Sequence, residues 1–452
     1  MRYELQPKVK NLVAAIFLSL SSIVIFSVLF SNFRLFNGNS TDIIPVLGIL
    51  IQSSSALIAI VFAFLIFISQ TVLGKYVSGV FDYIFMDYEF VVAFVFFTTA
   101  TVVISVSLWI FPIYYPIIDI SIGLFIIEII LLPSIFYAQT KLLNPKNIIK
   151  RLLSKVKAYD DKKNQNQPFE RIKVVFSTIF KLAENGEYDT STYGLAEITK
   201  CAKECNKKEG YDFMFYYALI PEYERIGVEC FKFNPNLSAF VNTQFHDIIQ
   251  HLTKSSPPFV VANVGSRISL ASYNIASSVD GKPYADSTLI SSYQLLQEIY
   301  VDKTTVDYGF SAYDELQYIF KLIKMMAKSQ IPMHMIAGFE LQFNTERLAK
   351  AEKFEMIEPY LLTILNAVQA NDMVLQGYIG TILHSIPLNK KEIADRIILA
   401  LESKFGALQV EFTKTANPSS SEISIRNSKI EIKAGSEEIS QKIDWLKKRT
   451  IT

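Results

Sequence analysis

The sequence predicts an all-α membrane protein: a four-helix transmembrane domain, then a cytosolic α-helical domain, solenoid-like or bundled, closed by a small C-terminal β element. Three observations predict it. Residues 11–30, 43–74, 90–118 and 120–140 contain no Lys, Arg, Asp or Glu except Glu128, and each run reaches the roughly 20 residues that a helix needs to cross the hydrocarbon. The remainder of the 452 residues is charged, and from about residue 141 to 405 its apolar residues recur at helical spacing. Strict apolar–polar alternation is found only near the C-terminus.

The first run follows Arg2, Lys8 and Lys10, as a signal peptide would. Its apolar stretch outlasts the roughly 7 to 15 residues of a signal core, and three further runs follow, so it reads as a retained first span. Spans are expected at about 11–30, 43–72, 90–111 and 117–139 within a domain of residues 1–140. Lys and Arg in short loops resist translocation. They stand before the first span and again after the fourth, as Lys141, Lys146, Lys150, Arg151, Lys155 and Lys157, while the loop around Pro112 to Pro116 has none. Both termini are therefore expected in the cytoplasm of a multi-pass protein of the cell membrane. Trp109, Tyr114 and Tyr115 then fall at the outer interface, where amphipathic rings are enriched.

In the second run Gly48, Gln52, Ser55, Ala59, Ala63 and Gln70 fall on one stripe of a 3.6-residue helix. Small residues admit close helix approach and glutamines bridge helices, so the stripe is either a packing seam or, with several copies contributing, the lining of a polar pathway. Beyond it, Val77, Val80, Phe81, Ile84 and Tyr88 oppose Lys75, Ser78, Asp82 and Glu89, the pattern of an interfacial amphipathic helix that is either a collar or a coupling element. Glu128 is the sharpest residue. A carboxylate at the bilayer centre costs roughly 2.5 to 3.5 kcal/mol on insertion scales and is seldom there without a partner, a proton or water. No span supplies Lys, Arg or His. The expected partners are Gln52, Gln70 or Thr98 on a neighbouring helix, with Ser121 and Gln139 on the same inward face; ion or proton handling is the alternative. Glu128, Gln52, Ser55 and Gln70 are the intramembrane candidates.

The stretch Ala59-Ile60-Val61-Phe62 through Ser69-Gln70, with Tyr76 to Ser78, Asp87 and the aromatic-rich third run, resembles a group of uncharacterised prokaryotic membrane proteins described only as a domain of unknown function. The resemblance covers roughly the second and third runs and implies four N-terminal spans before a cytosolic helical part, with no activity attached. The Ser-Pro-Arg that usually follows the glutamine is replaced here by Tyr76-Val77-Ser78-Gly79.

Residues 141–167 read as a juxtamembrane helix and a polar linker, Asp160 to Asn166, before Pro168. Residues 168–405 read as a helical domain: Leu195, Ile198 and Ala202 form one stripe, and Leu316, Ile319, Phe320, Ile323 and Met326 another. Breakers at Asn185-Gly186, Gly210, Asn234-Pro235, Pro257-Pro258, Asp280-Gly281, Gly309 and Pro332 suit helices of about 20 residues in antiparallel pairs. That is either a solenoid of pairs about 45 residues long or an irregular bundle. In residues 406–452, alternation over 407–413, 422–426 and 429–433 predicts short strands, and Ile439, Ile443 and Leu446 predict a last amphipathic helix. So small a β element needs pairing, supplied by the helical domain or by a neighbouring subunit.

The net charge of +1 gives no argument for a nucleic-acid partner. Cys201, Cys205 and Cys230 are too few and too oddly spaced for a disulfide framework or a zinc site. There is no Walker loop, dinucleotide fingerprint, H-E-x-x-H or G-x-S-x-G. Asp280-Gly281-Lys282-Pro283 reads as a turn, and His246, His251, His334 and His384 read as lone histidines. The chain is expected to be non-enzymatic, with no metal and no cofactor. Its expected partners are the lipid bilayer and either a second copy of itself or another protein held by the cytosolic domain.

Overall fold

The computed structural model describes residues 17, 21–26, 28–29, 35–36, 42–75, 88–110, 115–142, 144–157, 167–205, 214–305, 312–331, 333–368, 372–406, 409–414, 422–426, 429–434 and 436–450. Most of the first run, the amphipathic stretch after Lys75, the linker 160–166 and the breakers Gly210, Gly309 and Pro332 lie outside them. The chain is mostly helical, with a small C-terminal sheet, and divides into two compact units, Met1–Glu197 and Ile198–Thr452.

In the first unit α1 (Ile43–Lys75), α2 (Tyr88–Ile110) and α3 (Tyr115–Leu142) pack on one another in all three pairings. Leu47 and Leu50 of α1, Phe97 and Ala100 of α2, and Ile118 and Leu124 of α3 meet in the centre, with Ile23 of the preceding helical residues. The outward sides carry exposed Ile44, Ile49, Ile60, Phe67, Val102, Ile129 and Ile130. Among the described residues one stretch, Ile43–Phe64, is long and apolar enough to cross a membrane, and only 22 % of its most apolar window is buried inside the fold; Val95–Val106 is a shorter apolar stretch. The helix α4 (Pro145–Lys157) follows α3 after Leu143 and Asn144 and packs on α5 (Gln167–Glu184). Then α6 (Tyr188–Cys205) follows, its residues to Glu197 in the first unit and from Ile198 in the second. The turn at Asn185-Gly186 closes α5 with the left-handed Gly186, φ 81°. The Gly186 N–H donates to the Ala183 carbonyl and the Glu187 N–H to that of Leu182, the pattern that terminates many helices at glycine.

The second unit is a two-layer array. Its helices are α7 (Met214–Glu229), α8 (Pro235–Ser255), α9 (Pro258–Val279), α10 (Asp286–Thr305), α11 (Tyr313–Lys328), α12 (Met333–Lys350), α13 (Phe354–Ala367), α14 (Asp372–Ser385) and α15 (Lys391–Phe405). Each packs on the next helix but one: α7, α9, α11, α13 and α15 stack in one layer, and α8, α10, α12 and α14 in the other. In this next-but-one stacking each helix contacts near neighbours in the chain, as the elements of helical repeat arrays do. The described breakers lie at helix boundaries. Asn234 caps α8 by accepting from the Asn236 N–H at 2.9 Å, with Pro235 in the first turn, and Pro257 and Pro258 open α9.

Strands β1 (Gln409–Lys414), β2 (Glu422–Arg426) and β3 (Lys429–Ala434) form one sheet in the order β1-β3-β2, with β1 parallel and β2 antiparallel to β3. Ile430 and Ile432 are fully buried beside Val410 and Phe412 on one side and Ile425 and Ile423 on the other. The opposite face pairs Lys429 with Glu411 and Lys433 with Glu422. Strand β2 packs on α14, and the last helix, α16 (Glu437–Thr450), packs on β1 and α14. The helical array of the same chain thus supplies the partner that a sheet of this size needs.

Candidate functional site

Glu128 lies at the middle of α3, fully buried, where α1, α2 and α3 meet. Its Oε2 accepts from the Ser54 hydroxyl at 2.8 Å and its Oε1 from the Thr101 hydroxyl at 3.2 Å. Each oxygen is thus held by a different helix, so the carboxyl group ties all three together. Pro133, in the turn after Glu128, has no N–H to return to the Ile129 carbonyl, which loosens the ladder just past the site. Ser121, two turns before Glu128, is also buried. The side chain of Gln139 lies outside the described residues.

The partners are not Gln52, Gln70 or Thr98. A residue two positions along a helix is turned by about 200°, so the face that carries Ser54 to Glu128 carries Gln52 away from it. Ser54 is buried, while Gln52, Ser55, Ala59, Ala63 and Gln70 are exposed on the outer side of α1. Of the four intramembrane candidates, Glu128 therefore stands inside the helix cluster and the other three outside it. If the stripe faces one way, Ser54 faces the other, and the packing of α2 and α3 on α1 determines which of the two sides meets Glu128.

A second carboxylate marks the start of α3. Asp119 is buried, and its Oδ1 accepts the backbone N–H groups of Leu35 and Phe36, each at 2.7 Å. It joins the connection between the first and second runs to the end of α3 that follows the third run.

No family model, curated protein or solved structure matches the chain.

The second unit holds a denser set of charges around α10. Lys303 is buried and reaches Glu315 of α11 and the Ser266 hydroxyl of α9, both at 2.9 Å. Asp302 accepts from Arg347 of α12 at 2.6 Å. Glu298 pairs with the His246 Nδ1 of α8, whose Nε2 faces the Gln250 amide at 2.9 Å. His246 is therefore not the lone histidine expected, because the next-but-one stacking brings α10 beside α8. Burial pushes the Glu298 carboxyl above the usual carboxylate range, with His246 opposing the shift. Burial also pushes Asp302 up, against the pull of Arg347. Lys203 pairs with Asp247 at 3.1 Å. The Lys303 contacts bridge the two layers, and those of Asp302 and Glu298 join α10 to its neighbours α12 and α8 within one layer. Among the described residues no group of three His, Cys, Asp or Glu side chains is placed to hold a metal ion.

This set was illegible in the sequence. Helix α10 packs on α8, α9, α11 and α12, so it is buried on nearly every side, and its charged residues look like the solvated face of an ordinary helix when read by periodicity alone. Asn242 of α8 is a polar counterpart: its amide donates to Ser291 and Ser292 of α10 and its carbonyl oxygen accepts from Ser272 of α9, a polar knot inside an apolar array.

Proposed function

We propose that the chain is a multi-pass membrane protein whose helical array is a cytosolic interaction domain, so that it acts as a membrane-anchored scaffold or signal relay. The observation that carries this reading is the two-layer stacking of α7 to α15, an architecture that exposes extended surfaces to partners. Support for the membrane part comes from the apolar outer sides of α1 to α3 and from the small buried share of Ile43–Phe64, since the core helix of a soluble protein is mostly buried. The Asp119 contact adds to it. Both connections that it joins belong on the outer side in the proposed topology.

The test is affinity capture of the full chain from cross-linked membranes together with its mass by light scattering in detergent. A captured partner or a defined oligomer is expected. A monomer that captures nothing overturns the scaffold.

The exposure of Gln52, Ser55 and Gln70 favours a second reading, an oligomeric ion channel or pathway gated by the cytosolic domain. These side chains would face a symmetry axis lined by several copies of α1, with Glu128 as the intramembrane site beneath them. Reconstitution into planar bilayers tests it: conductance that Gln52→Leu alters supports the pathway, and absence of conductance removes it.

A further inference from the structure

Helix α3 is 28 residues long, about 42 Å at 1.5 Å per residue, close to the roughly 40–45 Å between the headgroup surfaces of a bilayer. Only Leu143 and Asn144 separate its end from α4. Two residues span at most about 7 Å, less than the roughly 8 Å over which a charged surface acts at physiological salt. From Lys141 to Lys157 there are six cations and no Asp or Glu.

A basic amphipathic helix beside a membrane has two ways to use it: to insert its apolar face, or to keep that face for the protein and offer only charge. Here the apolar face is taken. Ile148, Ile149, Leu152 and Leu153 are buried, and α4 packs on α5. Ile149 also lies against Gly194 of α6 so closely that a Cβ there would stand 3.0 Å from its Cδ1. Among the described side chains of α4, Lys146, Lys150 and Ser154 are exposed; Lys146 and Lys150 stand one turn apart, with their ammonium groups 5.4 and 5.7 Å from the centre of the Tyr193 ring. One aromatic face thus holds two neighbouring cations in place. Asp189 and Glu197, a turn to either side of Tyr193 on α6, are the acids nearest to it in sequence on that helix, and they are outnumbered by the cations of α4.

We infer that the outward face of α4, centred on Lys146, Lys150 and Tyr193, is a docking surface for the phosphate headgroups of anionic phospholipids on the cytoplasmic leaflet. Basic clusters immediately cytoplasmic of a span are attracted to anionic leaflets at about 1 kcal/mol per Lys or Arg, about fivefold each. Packing of the apolar face makes the attachment electrostatic, so it weakens with salt. The inference rests on the membrane reading proposed above.

The full chain tests both, separably. Membranes of the expressing cells are washed with alkaline carbonate, and the solubilised chain is then titrated with phosphatidylglycerol or phosphatidylcholine while bound lipids are counted by native mass spectrometry. The variants are Lys146→Gln with Lys150→Gln, and Lys146→Arg with Lys150→Arg. Retention after the wash is expected for all three proteins, with preference for phosphatidylglycerol in the parent and the arginine pair and a loss of about fivefold per lysine in the glutamine pair. Release by carbonate overturns the membrane reading and this inference with it. Retention with equal lipid preference in parent and glutamine pair overturns the inference alone, as does an equal loss in the arginine pair. Full displacement of the lipid by equimolar inorganic phosphate assigns the face to a free anion and overturns its assignment to lipid.

Discussion

Glu128 has two roles that substitution separates. As an acceptor it holds the Ser54 and Thr101 hydroxyls; as a carboxyl group it carries the capacity to ionise. Glu128→Gln keeps an acceptor oxygen and removes the ionisation, whereas Glu128→Ala removes both. Interhelical hydrogen bonds in membranes average about 0.6 kcal/mol and reach about 1.7, so loss of two predicts that Glu128→Ala is less stable by about 1 to 3 kcal/mol, with Glu128→Gln closer to the parent. Unfolding in mixed detergent micelles followed by circular dichroism measures it. Equal stability of all three would mean that the two hydroxyls find other acceptors at no loss. Glu298 makes a different residue-scale prediction. Its folded-state carboxyl is pushed above the ordinary range by burial, so folding favours the protonated form. The contribution is fully present below the ordinary carboxylate range and is lost as pH rises through the raised value. Glu298 should therefore contribute a decline in the thermal stability of the second unit as pH rises above the ordinary carboxylate range, and Glu298→Gln should flatten that decline. An unchanged slope in the variant would assign the decline to other groups.

Among the elements, α7 and α9 approach more closely than any side chain at Gly227 would permit. A Cβ there would stand 2.6 Å from the Ile275 Cδ1 and 2.8 Å from its Cγ1, while the Gly227 carbonyl accepts from the buried Ser238 hydroxyl. Overpacking of this kind costs about 1 to 3 kcal/mol, so Gly227→Ala should lower the denaturant midpoint of the array. Gly227→Ala combined with Ile275→Val should recover part of the loss, and failure to recover would place the strain elsewhere. This scale is also where the sequence was most legible. Breakers such as Asn234-Pro235 and Pro257-Pro258 marked helix ends because caps and proline chemistry are local, and the alternation around Ile430 and Ile432 marked a strand because period two is local as well. Nothing local distinguished α10, where Lys303 and Asp302 are buried by four other helices. The same limit separates Ser54 from Gln52. The stripe was visible, but which of its two sides met Glu128 depended on the placement of α2 and α3.

At the scale of the molecule, the two compact units have separate cores. Leu47, Phe97 and Leu124 belong to the first and Tyr300, Ile323 and Tyr360 to the second, and among the described residues the two clusters share no member. Their physical chemistry differs as well. The first cluster lies among helices with apolar outer sides, and on the membrane reading proposed above detergent or lipid governs its stability, because hydrophobic exclusion from water does not hold spanning helices together. The second buries tyrosines and paired charges, including Tyr300 stacked on Tyr360 at 5.4 Å, and its stability depends on denaturant and pH as in a soluble solenoid. On that membrane reading, two cores governed by different solvents predict two unfolding steps. Full-length protein in a mild detergent should show one transition that urea and Gly227→Ala shift, and a second that responds to detergent and to Glu128→Ala. Scanning calorimetry paired with circular dichroism resolves them. A single cooperative transition moved equally by both substitutions would mean that the units unfold as one.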